Sequence, residues 1–286
     1  MSEYDIVVSI VTYKNDDDTF KKCIDTVLGT NLRTKLYVVD NWPTDKTRKI
    51  CSEAKVEYIP NKANAGYGAA HNLAIARTLE HRIKYHLVLN PDVCFEKGTL
   101  ERLYYFMEKN SDIGMVMPKI LYPDGSLQYL CKLLPTPFDL IARRFLPYLK
   151  YLDRRKHVYE LRFTGYNKTM DVPYLSGCFM FIRTDVLREV GLFDERFFMY
   201  MEDLDLSRRI HEHYRTVYYP HVSVFHQYEK GSYKNSKLLK YHLQSAVRYF
   251  NKWGYFFDKD RRDINQKTLK KLTAGGETTS GRETPA

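Results

Sequence analysis

The sequence predicts an α/β protein whose Rossmann-like sheet is mixed, mostly parallel and flanked by helices. Short β-branched runs alternate with stretches of helical periodicity through about the first 120 of 286 residues. The runs are apolar almost throughout, which is typical of parallel strands buried on both faces. Hydrophobic residues make up 44% of the chain, and a chain of this length can bury one substantial core.

The predicted strands of the N-terminal half follow one another at intervals long enough to hold a helix. They begin at Asp5 (DIVVSIVTY), Lys35 (KLYVVDN), Val56 (VEYIPN), Tyr85 (YHLVLNP) and Gly114 (GMVMPKI). Sheets of this kind bind their ligands at the carboxyl ends of the strands. We therefore expect functional residues where these strands end.

Helices fill the intervals between these strands. The first helix is indicated by apolar residues at helical spacing: Phe20, Cys23, Ile24, Val27 and Leu28. Asp17 or Asp18 can form its N-cap, and Gly29 can end it. Further helical stretches follow Thr44, Ala69 and Lys97.

The pattern changes after the turn YPDGS at residues 122–126, and a basic amphipathic insertion is expected over 131–170. Thr136-Pro137 begins a helix there. Within the insertion, the apolar residues Phe138, Ile141, Phe145 and Leu149 alternate with the basic residues Arg143, Arg144 and Lys150. This pattern suits a helix lying in an anionic headgroup layer, and equally an ordinary basic helix packed on the core.

Strands and helices resume after the insertion. The remaining elements are a strand from Val172 (VPYLSGCFMFI), a helix within the segment FDERFFMYMEDLDLSRRI, a strand from Thr216 (TVYYPHVSVFH) and an amphipathic helix over Lys234 to Trp253. The Gly/Thr-rich residues 273–286 resemble an artificial expression tail and are left out of the predicted fold.

The net charge and the cysteines indicate which kinds of partner the protein binds and in which compartment it is expected. The formal net charge of +10 favours anionic partners such as nucleotides, diphosphates or acidic lipids, or else serves solubility alone. The five cysteines are scattered without a CxxC pair, which indicates reduced thiols in a cytosolic protein without a zinc site. The sequence has neither a signal-peptide pattern nor an apolar run near the roughly 20 residues of a spanning helix, so we do not expect an integral membrane protein.

Polar groups stand at three strand ends of the N-terminal half. Asp40 can accept hydrogen bonds from a nucleobase or ribose, or form an Asx turn. The glycine-rich loop 64–72 precedes a helix, and it can receive an anion or act as a flexible turn. Asp92, in the triplet Asn90-Pro91-Asp92, can hold Mg²⁺ or Mn²⁺ together with substrate phosphates, or belong to an ordinary turn.

Acidic residues and a histidine extend this set in the C-terminal half. Glu202, Asp203 and Asp205 open a predicted helix, where acids complement the helix dipole. Three acids after the aromatic run 197–200 exceed what capping requires, and an aromatic wall can raise the pKa of a general base by desolvation. His226 ends a strand and is either structural or a metal ligand beside Asp92.

The order of these motifs resembles that of the inverting family-2 glycosyltransferases of the GT-A fold, closest to the bacterial rhamnosyltransferase-like branch that builds cell-surface polysaccharides. The motifs are SIVTYK, VVDN, NAGYGAAHN, LNPDV, YLSGCFMFIR, FDERFFMYMEDLDLSRR and VFH, within about residues 4–250. FFMYMEDLDL is the most specific of them. The chain departs from the family's pattern at Asn90, which replaces the first aspartate of the DxD motif, and at Trp42-Pro43.

The resemblance implies roles for the matching residues. The donor-binding residues would be Thr12, Tyr13, Asp40, Asn64, Gly66, Asn72, Asn90 and Asp92. The acceptor-binding residues would be Ser176, Gly177, Tyr200 and Glu202. Asp203 would be the catalytic base, and Asp92 with His226 would hold a Mn²⁺ or Mg²⁺ cofactor. On this basis the chain divides into a nucleotide-sugar-binding half (1–130), the insertion (131–170), a catalytic half (171–232), a helical segment (233–272) and the tail (273–286).

The implied enzyme transfers a sugar from a nucleotide-diphosphate donor to a polyprenyl-diphosphate-linked or saccharide acceptor. The leading donor is dTDP-L-rhamnose, and a UDP-hexose is the alternative. The protein is expected in the cytoplasm, in peripheral contact with the anionic inner face of the membrane, and a homodimer is left open.

Three other function classes compete with this interpretation. A nucleotidyltransferase needs a glycine-rich basic signature after the first strand, where the chain has Thr12-Tyr13-Lys14-Asn15. A non-catalytic nucleotide-sugar-binding module is disfavoured by the intact Asp92 and Asp203. Nucleic-acid binding is expected least, because the basic residues are dispersed and form no known motif.

Overall fold

The computed structural model describes residues 3–142, 150–227 and 236–274. Nine strands form one sheet: β1 (Ile6–Thr12), β2 (Thr34–Asp40), β3 (Glu57–Pro60), β4 (Tyr85–Leu89), β5 (Val93–Phe95), β6 (Ile113–Leu121), β8 (Met170–Asp171), β10 (Phe179–Arg183) and β11 (Arg215–His226). Within the same described ranges, β7 (Cys131–Lys132) pairs with β9 (Tyr174–Leu175) in a separate small ribbon.

Helices cover the sheet. They are α1 (Asp17–Leu28), α2 (Asp45–Glu53), α3 (Tyr67–Glu80), α4 (Thr99–Lys109), α5 (Lys150–Tyr159), α6 (Thr184–Val190), α7 (Glu202–His213), α8 (Ser236–Trp253) and α9 (Lys259–Ala274). A π-helical turn (Phe138–Ala142) and a 3₁₀ turn (Arg162–Thr164) flank α5. In the part of the chain that is described, no helix is long and apolar enough to cross a membrane.

The strand order is β3-β2-β1-β4-β10-β6-β11-β5, with β8 beside β11. The first four of these strands are parallel to one another. β10 lies antiparallel between β4 and β6, and β11 runs parallel to β6. The mixed α/β sheet confirms the predicted fold class, and it brings the carboxyl ends of β1, β2 and β4 to one edge.

Burial explains why the N-terminal strands were readable in the sequence. All seven residues of β1 are buried, so its apolar run reflects packing on both faces. The predicted N-cap of α1 is wrong by one residue. Asp16 has extended backbone and accepts a hydrogen bond from the Thr19 amide at 2.9 Å, which places Asp17 and Asp18 inside the first turn.

The strand predicted from Val172 is two strands, because β9 pairs with β7 in the small ribbon and β10 lies in the main sheet, with residues 176–178 between them. Within the insertion, the predicted residues Arg143, Arg144, Phe145 and Leu149 lie outside the described residues, as do the side chains of Ile141 and Lys150. Its amphipathic pattern therefore stays a prediction. Helix α9 reaches Ala274, two residues into the predicted tail, and residues 275–286 lie outside the described part.

Candidate active site

A cleft of about 1170 Å³ opens at the carboxyl ends of the parallel strands. Both halves of the chain line it. The predicted site residues along its wall are Tyr13, Asn64, Gly66, Asn90, Asp92, Ser176, Gly177, Tyr200, Glu202, Asp203 and His226. Asp92 and Asp203 therefore face one shared cavity, although 110 positions separate them in the sequence.

Asp92 and His226 form a pair at one end of this cleft. Asp92 lies in the turn between β4 and β5, His226 ends β11, and the Asp92 Oδ1 atom lies 3.4 Å from the His226 Nε2 atom. The Asn90 side-chain amide lies 3.3 Å from the same nitrogen. On the other side of the ring, Nδ1 lies 3.1 Å from the Gln128 Oε1 atom. Gln128 thus holds the imidazole with Nε2 directed at Asp92.

This donor set fits a Mn²⁺ or Mg²⁺ ion that is shared with a substrate. Such ions take carboxylate and imidazole ligands and complete their shell with phosphate oxygens and water. No cluster of three or more His, Cys, Asp or Glu side chains able to hold a metal occurs among residues 3–142, 150–227 and 236–274. The two side chains would therefore share such an ion with oxygens from a substrate or from water. Burial lowers the pKa of His226, but the neighbouring Cys178 and Asp92 outweigh it and raise that pKa to about 10, so the ring is protonated and Nε2 must lose its proton before it can bind a metal ion.

Asp40 and Thr12 lie beneath the cleft, and their side chains do not line it. The Asp40 carboxylate is fully buried and accepts hydrogen bonds from the Thr12 hydroxyl (3.1 Å), the Trp42 amide (2.9 Å) and the Tyr58 hydroxyl (2.9 Å). These contacts give Asp40 a structural role at the end of β2. Nearby, the ring of Tyr13 meets that of Trp42 edge to face at 6.0 Å, and both are partly exposed.

Asn72 also lies away from the cleft wall. Its side-chain amide exchanges hydrogen bonds with the backbone of Phe193, 3.0 Å to the N–H and 2.9 Å to the carbonyl oxygen. Asn72 therefore ties α3 to the segment that precedes α7. The predicted donor-binding role of Asn72, like those of Asp40 and Thr12, stays a prediction.

Gly66 joins the glycine-rich loop to the segment that carries the acidic pair. Its φ of 93° favours glycine, and a Cβ atom there would lie 2.3 Å from the Phe198 carbonyl oxygen. The next residue, Tyr67, donates its backbone N–H to the same oxygen at 2.9 Å. The loop needs glycine here because two backbone segments touch.

The Tyr67 hydroxyl bridges the two ends of the cleft. It lies 2.7 Å from the Gly177 carbonyl oxygen and 3.0 Å from the Asn90 Oδ1 atom, both of which can accept its hydrogen. Burial raises the pKa of Tyr67 far above its ordinary value, so the hydroxyl keeps its proton. Tyr67 thereby connects the Asn90 turn to the strand end that contacts Asp203.

Asp203 is held from three sides. Its Oδ2 atom accepts a hydrogen bond from the Gly177 N–H at 2.9 Å and lies 3.3 Å from the Tyr174 hydroxyl. Its other oxygen accepts the Leu204 N–H at 2.8 Å. A Cβ atom on Gly177 would come within 2.9 Å of the Asp203 Cβ, so a side chain there would push the carboxylate away.

Glu202 and Asp203 form a carboxyl pair of unequal character. Glu202 is 6% exposed, and its Oε2 atom has no hydrogen-bond partner in the described part of the chain. Burial and the neighbouring Asp203 charge raise the pKa of Glu202 well above its ordinary value. Burial also raises the pKa of Asp203, against the opposing effects of the Gly177 amide and Lys132. Of the two carboxyl groups, Glu202 therefore has the stronger tendency to keep its proton, and Asp203 the stronger tendency to be ionised.

The loop before α7 is strained at the site. Tyr200 and Met201 have φ values of 69° and 68°, a region that non-glycine residues rarely adopt. Both side chains line the cleft beside the acidic pair. The strained turn aims Glu202 and Asp203 at the cavity from the first turn of α7.

Basic side chains line the end of the cleft beyond Asp203: Lys132, Lys156 and Arg162. The Lys132 ammonium lies 5.1 Å from the centre of the Tyr174 ring. The Arg162 guanidinium stacks 4.2 Å from the Tyr129 ring centre and pairs with the buried Glu160 at 2.5 Å. Lys156 forms no ion pair with a residue in the described ranges. This end of the cleft can receive an anion.

Sequence reasoning missed four residues that shape this site: Tyr67, Gln128, Lys132 and Tyr174. Tyr67 stands within the glycine-rich motif, so its position in NAGYGAAHN could have drawn attention to it. Gln128 follows a turn and Lys132 lies at the start of the insertion, where no periodic pattern marks either residue. Only the fold brings them to the cleft.

Comparison with known proteins identifies relatives in sequence. The model of the family described as "Glycosyl transferase family 2" matches residues 8–191, more than half of the chain. An N-acetylglucosaminyl-diphospho-decaprenol L-rhamnosyltransferase of Mycobacterium tuberculosis is 28% identical over 261 residues, covering 84% of this chain and 82% of that protein. Rhamnosyltransferase WbbL of Escherichia coli K12 is 26% identical over 254 residues, covering 85% and 92%. Hexosyltransferase Agl10 of Haloferax volcanii, a low-salt glycan biosynthesis protein, is 27% identical over 206 residues, covering 72% of this chain but 61% of its own length.

Solved structures share the fold. Mannosyltransferase PcManGT from Pyrobaculum calidifontis, in complex with GDP-Man and Mn²⁺, aligns with a TM-score of 0.57 at 14% identity, covering 98% of this chain and 77% of that one. S. aureus TarS 1-349 aligns with a TM-score of 0.58 at 15% identity, covering 96% and 73%. These likenesses confirm the GT-A architecture expected from the motifs.

Proposed function

The chain belongs to glycosyl transferase family 2, and we propose that it transfers a sugar from a nucleotide-diphosphate donor to an acceptor hydroxyl by one inverting displacement. The observation that carries this proposal is the pairing of two acidic centres across one cleft. Asp92 with His226 lies at one end, and Asp203 with Glu202 lies on the wall that Tyr67 connects to it. Such an arrangement suits a reaction in which an anion leaves and a proton is removed.

The donor would bind with its diphosphate toward Asp92 and its nucleoside toward Tyr13. The partly exposed Tyr13 ring offers a face for a nucleobase, and the Asn64–Gly66 loop borders the sugar-diphosphate path. We take dTDP-L-rhamnose as the leading donor because two relatives that cover most of this chain carry rhamnosyltransferase names. A UDP-hexose is the second candidate, supported by the hexosyltransferase relative.

Asp92 and His226 would hold a Mn²⁺ or Mg²⁺ ion, which when bound would offset the negative charge of the departing diphosphate as a Lewis acid. The structural neighbours solved with Mn²⁺ support this assignment of the cofactor. Gln128 would keep the His226 ring in the ligating orientation, since its Oε1 atom faces Nδ1. Asn90, which stands in place of an aspartate, would leave the site with one carboxylate.

Asp203 would act as the general base. It accepts the proton of the acceptor hydroxyl while that oxygen attacks the anomeric carbon, and the bond from that carbon to the diphosphate oxygen breaks on the opposite face. The Gly177 N–H and the Tyr174 hydroxyl fix the carboxylate without neutralising it. Glu202, which keeps its own proton, would stand behind the base and shape the acceptor pocket together with Ser176 and Tyr200.

The acceptor would be a sugar linked through a diphosphate to a polyprenyl lipid. Lys132 and Lys156 line the cleft beyond the base, where an acceptor's diphosphate would lie if its sugar hydroxyl reached Asp203. The name of the M. tuberculosis relative, which acts on a diphospho-decaprenol, supports this class of acceptor. The same reasoning supports a protein that works beside the cytoplasmic membrane face, with residues 1–130 holding the donor and 171–232 the acceptor.

The acceptor assignment has a test of its own. Lys156→Glu should raise the KM for a polyprenyl-diphosphate sugar about tenfold or more, because it replaces an attraction for the diphosphate by a repulsion. The KM for the donor, and that for a free saccharide acceptor, should stay within about twofold. Lys109→Glu, an exposed change at the end of α4, is the matched control. An equal rise with both acceptors would contradict a diphosphate contact.

A donor screen tests the function as a whole. Nucleotide sugars are offered to the protein with Mn²⁺, and both thermal stabilisation and release of the nucleoside diphosphate are measured with lipid-diphosphate and saccharide acceptors. We expect one donor, dTDP-L-rhamnose first, to stabilise the protein and to support acceptor-dependent release with inversion at the anomeric carbon. Stabilisation without release from any donor would instead favour a non-catalytic nucleotide-sugar-binding module.

A further inference from the structure

Three consecutive aromatic residues project from the connection between α8 and α9. Tyr255 is 36% exposed, Phe256 76% and Phe257 96%. The rings of Tyr255 and Phe256 lie 6.5 Å apart, and that of Tyr255 lies 5.5 Å from the buried Phe250. We call residues 255–257 the aromatic tip. Phenylalanine rings in water are unfavourable, so an apolar partner would stabilise this arrangement.

The aromatic tip stands on a rigid base. The Arg261 guanidinium donates to the Tyr255 carbonyl oxygen at 3.2 Å, and the Arg261 N–H donates to Asp258 Oδ1 at 2.9 Å. Asp258 in turn pairs with the buried Arg208 at 2.7 Å. Because the backbone is already fixed, an interaction of the tip would lose little conformational entropy.

The two helices that carry the aromatic tip are rich in positive charge. Residues 236–274 contain ten lysines and arginines against three aspartates and no glutamate. The exposed basic residues near the tip in sequence are Arg248, Lys259 and Arg262. Apolar rings at a tip with cations at its flanks are typical of surfaces that bind anionic membranes.

We propose that the aromatic tip inserts into an anionic lipid bilayer, with the basic residues of α8 and α9 in contact with the headgroups. A protein partner fits less well. The three exposed rings offer on the order of 400 Å², about half of what each partner of a stable interface buries. A narrow projection of this kind needs no complementary surface in a bilayer.

The two helices that carry the tip also bond to segments beside the cleft, which His242 of α8 lines. The Asn265 side-chain amide donates to the Leu134 carbonyl oxygen and accepts the Leu134 N–H, both at 2.9 Å, and the Ser245 hydroxyl donates to the Met199 carbonyl oxygen at 2.8 Å. Met199 lines the cleft. If the proposed function is right, the tip would hold the acceptor end of the cleft beside the membrane in which a lipid-linked acceptor resides.

The test is binding to vesicles, which does not depend on catalysis. Full-length protein is sedimented with vesicles of phosphatidylcholine, with or without 30% phosphatidylglycerol, at low and high salt. We expect binding to the anionic vesicles that weakens with salt, and a loss of about tenfold in partition per ring, so about 100-fold, in the Phe256→Ser/Phe257→Ser double variant. Tyr105→Ser, at a 60% exposed position on α4, is the control and should bind like the wild type.

A second variant reports the position of the tip directly. Phe257→Trp keeps the aromatic character, and its fluorescence should be quenched by brominated lipids beyond the quenching of the two native tryptophans. Unchanged vesicle binding in the double serine variant, or no extra quenching, would overturn the proposal. Dimerisation of the wild type that the double variant abolishes would instead assign the tip to a second copy of the chain. Transfer to a water-soluble acceptor should be unaffected in the double variant, so a failed membrane contact is distinguishable from a failed enzyme assignment.

Discussion

Replacing the proposed base isolates the proton-transfer step. Asp203→Asn keeps the size of the side chain, and the amide oxygen can still accept the Gly177 N–H at the 2.9 Å distance seen for Oδ2. Its amide nitrogen would take the place of Oδ1 and lose the hydrogen bond from the Leu204 N–H, so a thermal unfolding measurement checks that the variant is folded. The variant cannot accept the acceptor's proton. General-base catalysis contributes about 10²–10⁴-fold in rate, which equals about 2.7–5.4 kcal/mol of the activation free energy. We expect a loss of kcat in this range, with the KM for the donor nearly unchanged.

The pH profile adds a second readout for the same residue. Burial raises the pKa of Asp203, and only the ionised carboxylate accepts a proton. The value of kcat/KM should therefore fall as the pH drops through that raised pKa, at a pH above the 3.8 of an ordinary aspartate. The residual activity of Asp203→Asn should lack this acid limb, because its amide does not titrate.

The assay is release of the nucleoside diphosphate at saturating donor, measured across pH for the wild type and two variants. Asp153→Asn makes the same chemical change at an exposed position on the cleft wall, and its rate should stay within about twofold of the wild type. A rate near that of the wild type in Asp203→Asn, or an acid limb that persists in it, would refute the assignment of the base.

Three further predictions follow from other contacts of the site. Gln128→Ala should raise the Mn²⁺ concentration for half-maximal activity by about 10–100-fold, because the His226 ring loses the hydrogen bond that orients it. An unchanged Mn²⁺ titration after EDTA treatment would argue against a role of His226 in metal binding. Gly66→Ala should lower the thermal midpoint by more than Gly125→Ala does. Both glycines have positive φ, so either alanine incurs about 1–2 kcal/mol of backbone strain, but only a Cβ atom at residue 66 would meet another backbone segment. Equal shifts of the thermal midpoint would show that this contact does not matter. Glu202→Gln should raise the thermal midpoint near pH 7, because the wild-type carboxyl with its raised pKa must take up a proton on folding at that pH. The gain should vanish below about pH 4, where this carboxyl is protonated in both the folded and the unfolded state. A gain that is independent of pH would contradict a neutral Glu202.

Most of the fold prediction rested on local patterns in the sequence. The strand from Asp5 was readable because burial on both faces makes β1 apolar at every position, and Gly29 ends α1 as its sequence position indicates. The segment from Val172 was predicted as one strand because Leu175 and Phe179 are both apolar, although β9 belongs to the small ribbon and β10 to the main sheet. An apolar run indicates that a segment is buried, but it does not indicate where the segment stops pairing with neighbouring strands.

The sequence was a weaker guide to which residues line the cleft than to the fold. Residues of the acidic motifs could be chosen because their chemistry is visible in the sequence, as for Asp92 and Asp203. Asp40 has the same chemistry, yet its carboxylate is taken up by Thr12 and Tyr58 beneath the cleft. The side chains that bind the Asp40 carboxylate are 18 (Tyr58) and 28 (Thr12) positions away in the sequence, so no local pattern identifies them.

The two acidic centres depend on each other through one hydroxyl group. Tyr67 lies within hydrogen-bond distance of Asn90 on the metal side and of the Gly177 carbonyl on the base side, and the Gly177 N–H holds Asp203. A shift of the Asn90 turn would therefore reach the proposed base through direct hydrogen bonds and the single residue Gly177. Misplacing a reacting group by about 1 Å can cost about 10²-fold in rate, so under the proposed mechanism this connection would set the distance between the two centres. It also explains why a tyrosine with no reactive role stands in the glycine-rich motif: its ring reaches both strand ends at once, and no shorter polar side chain could do so.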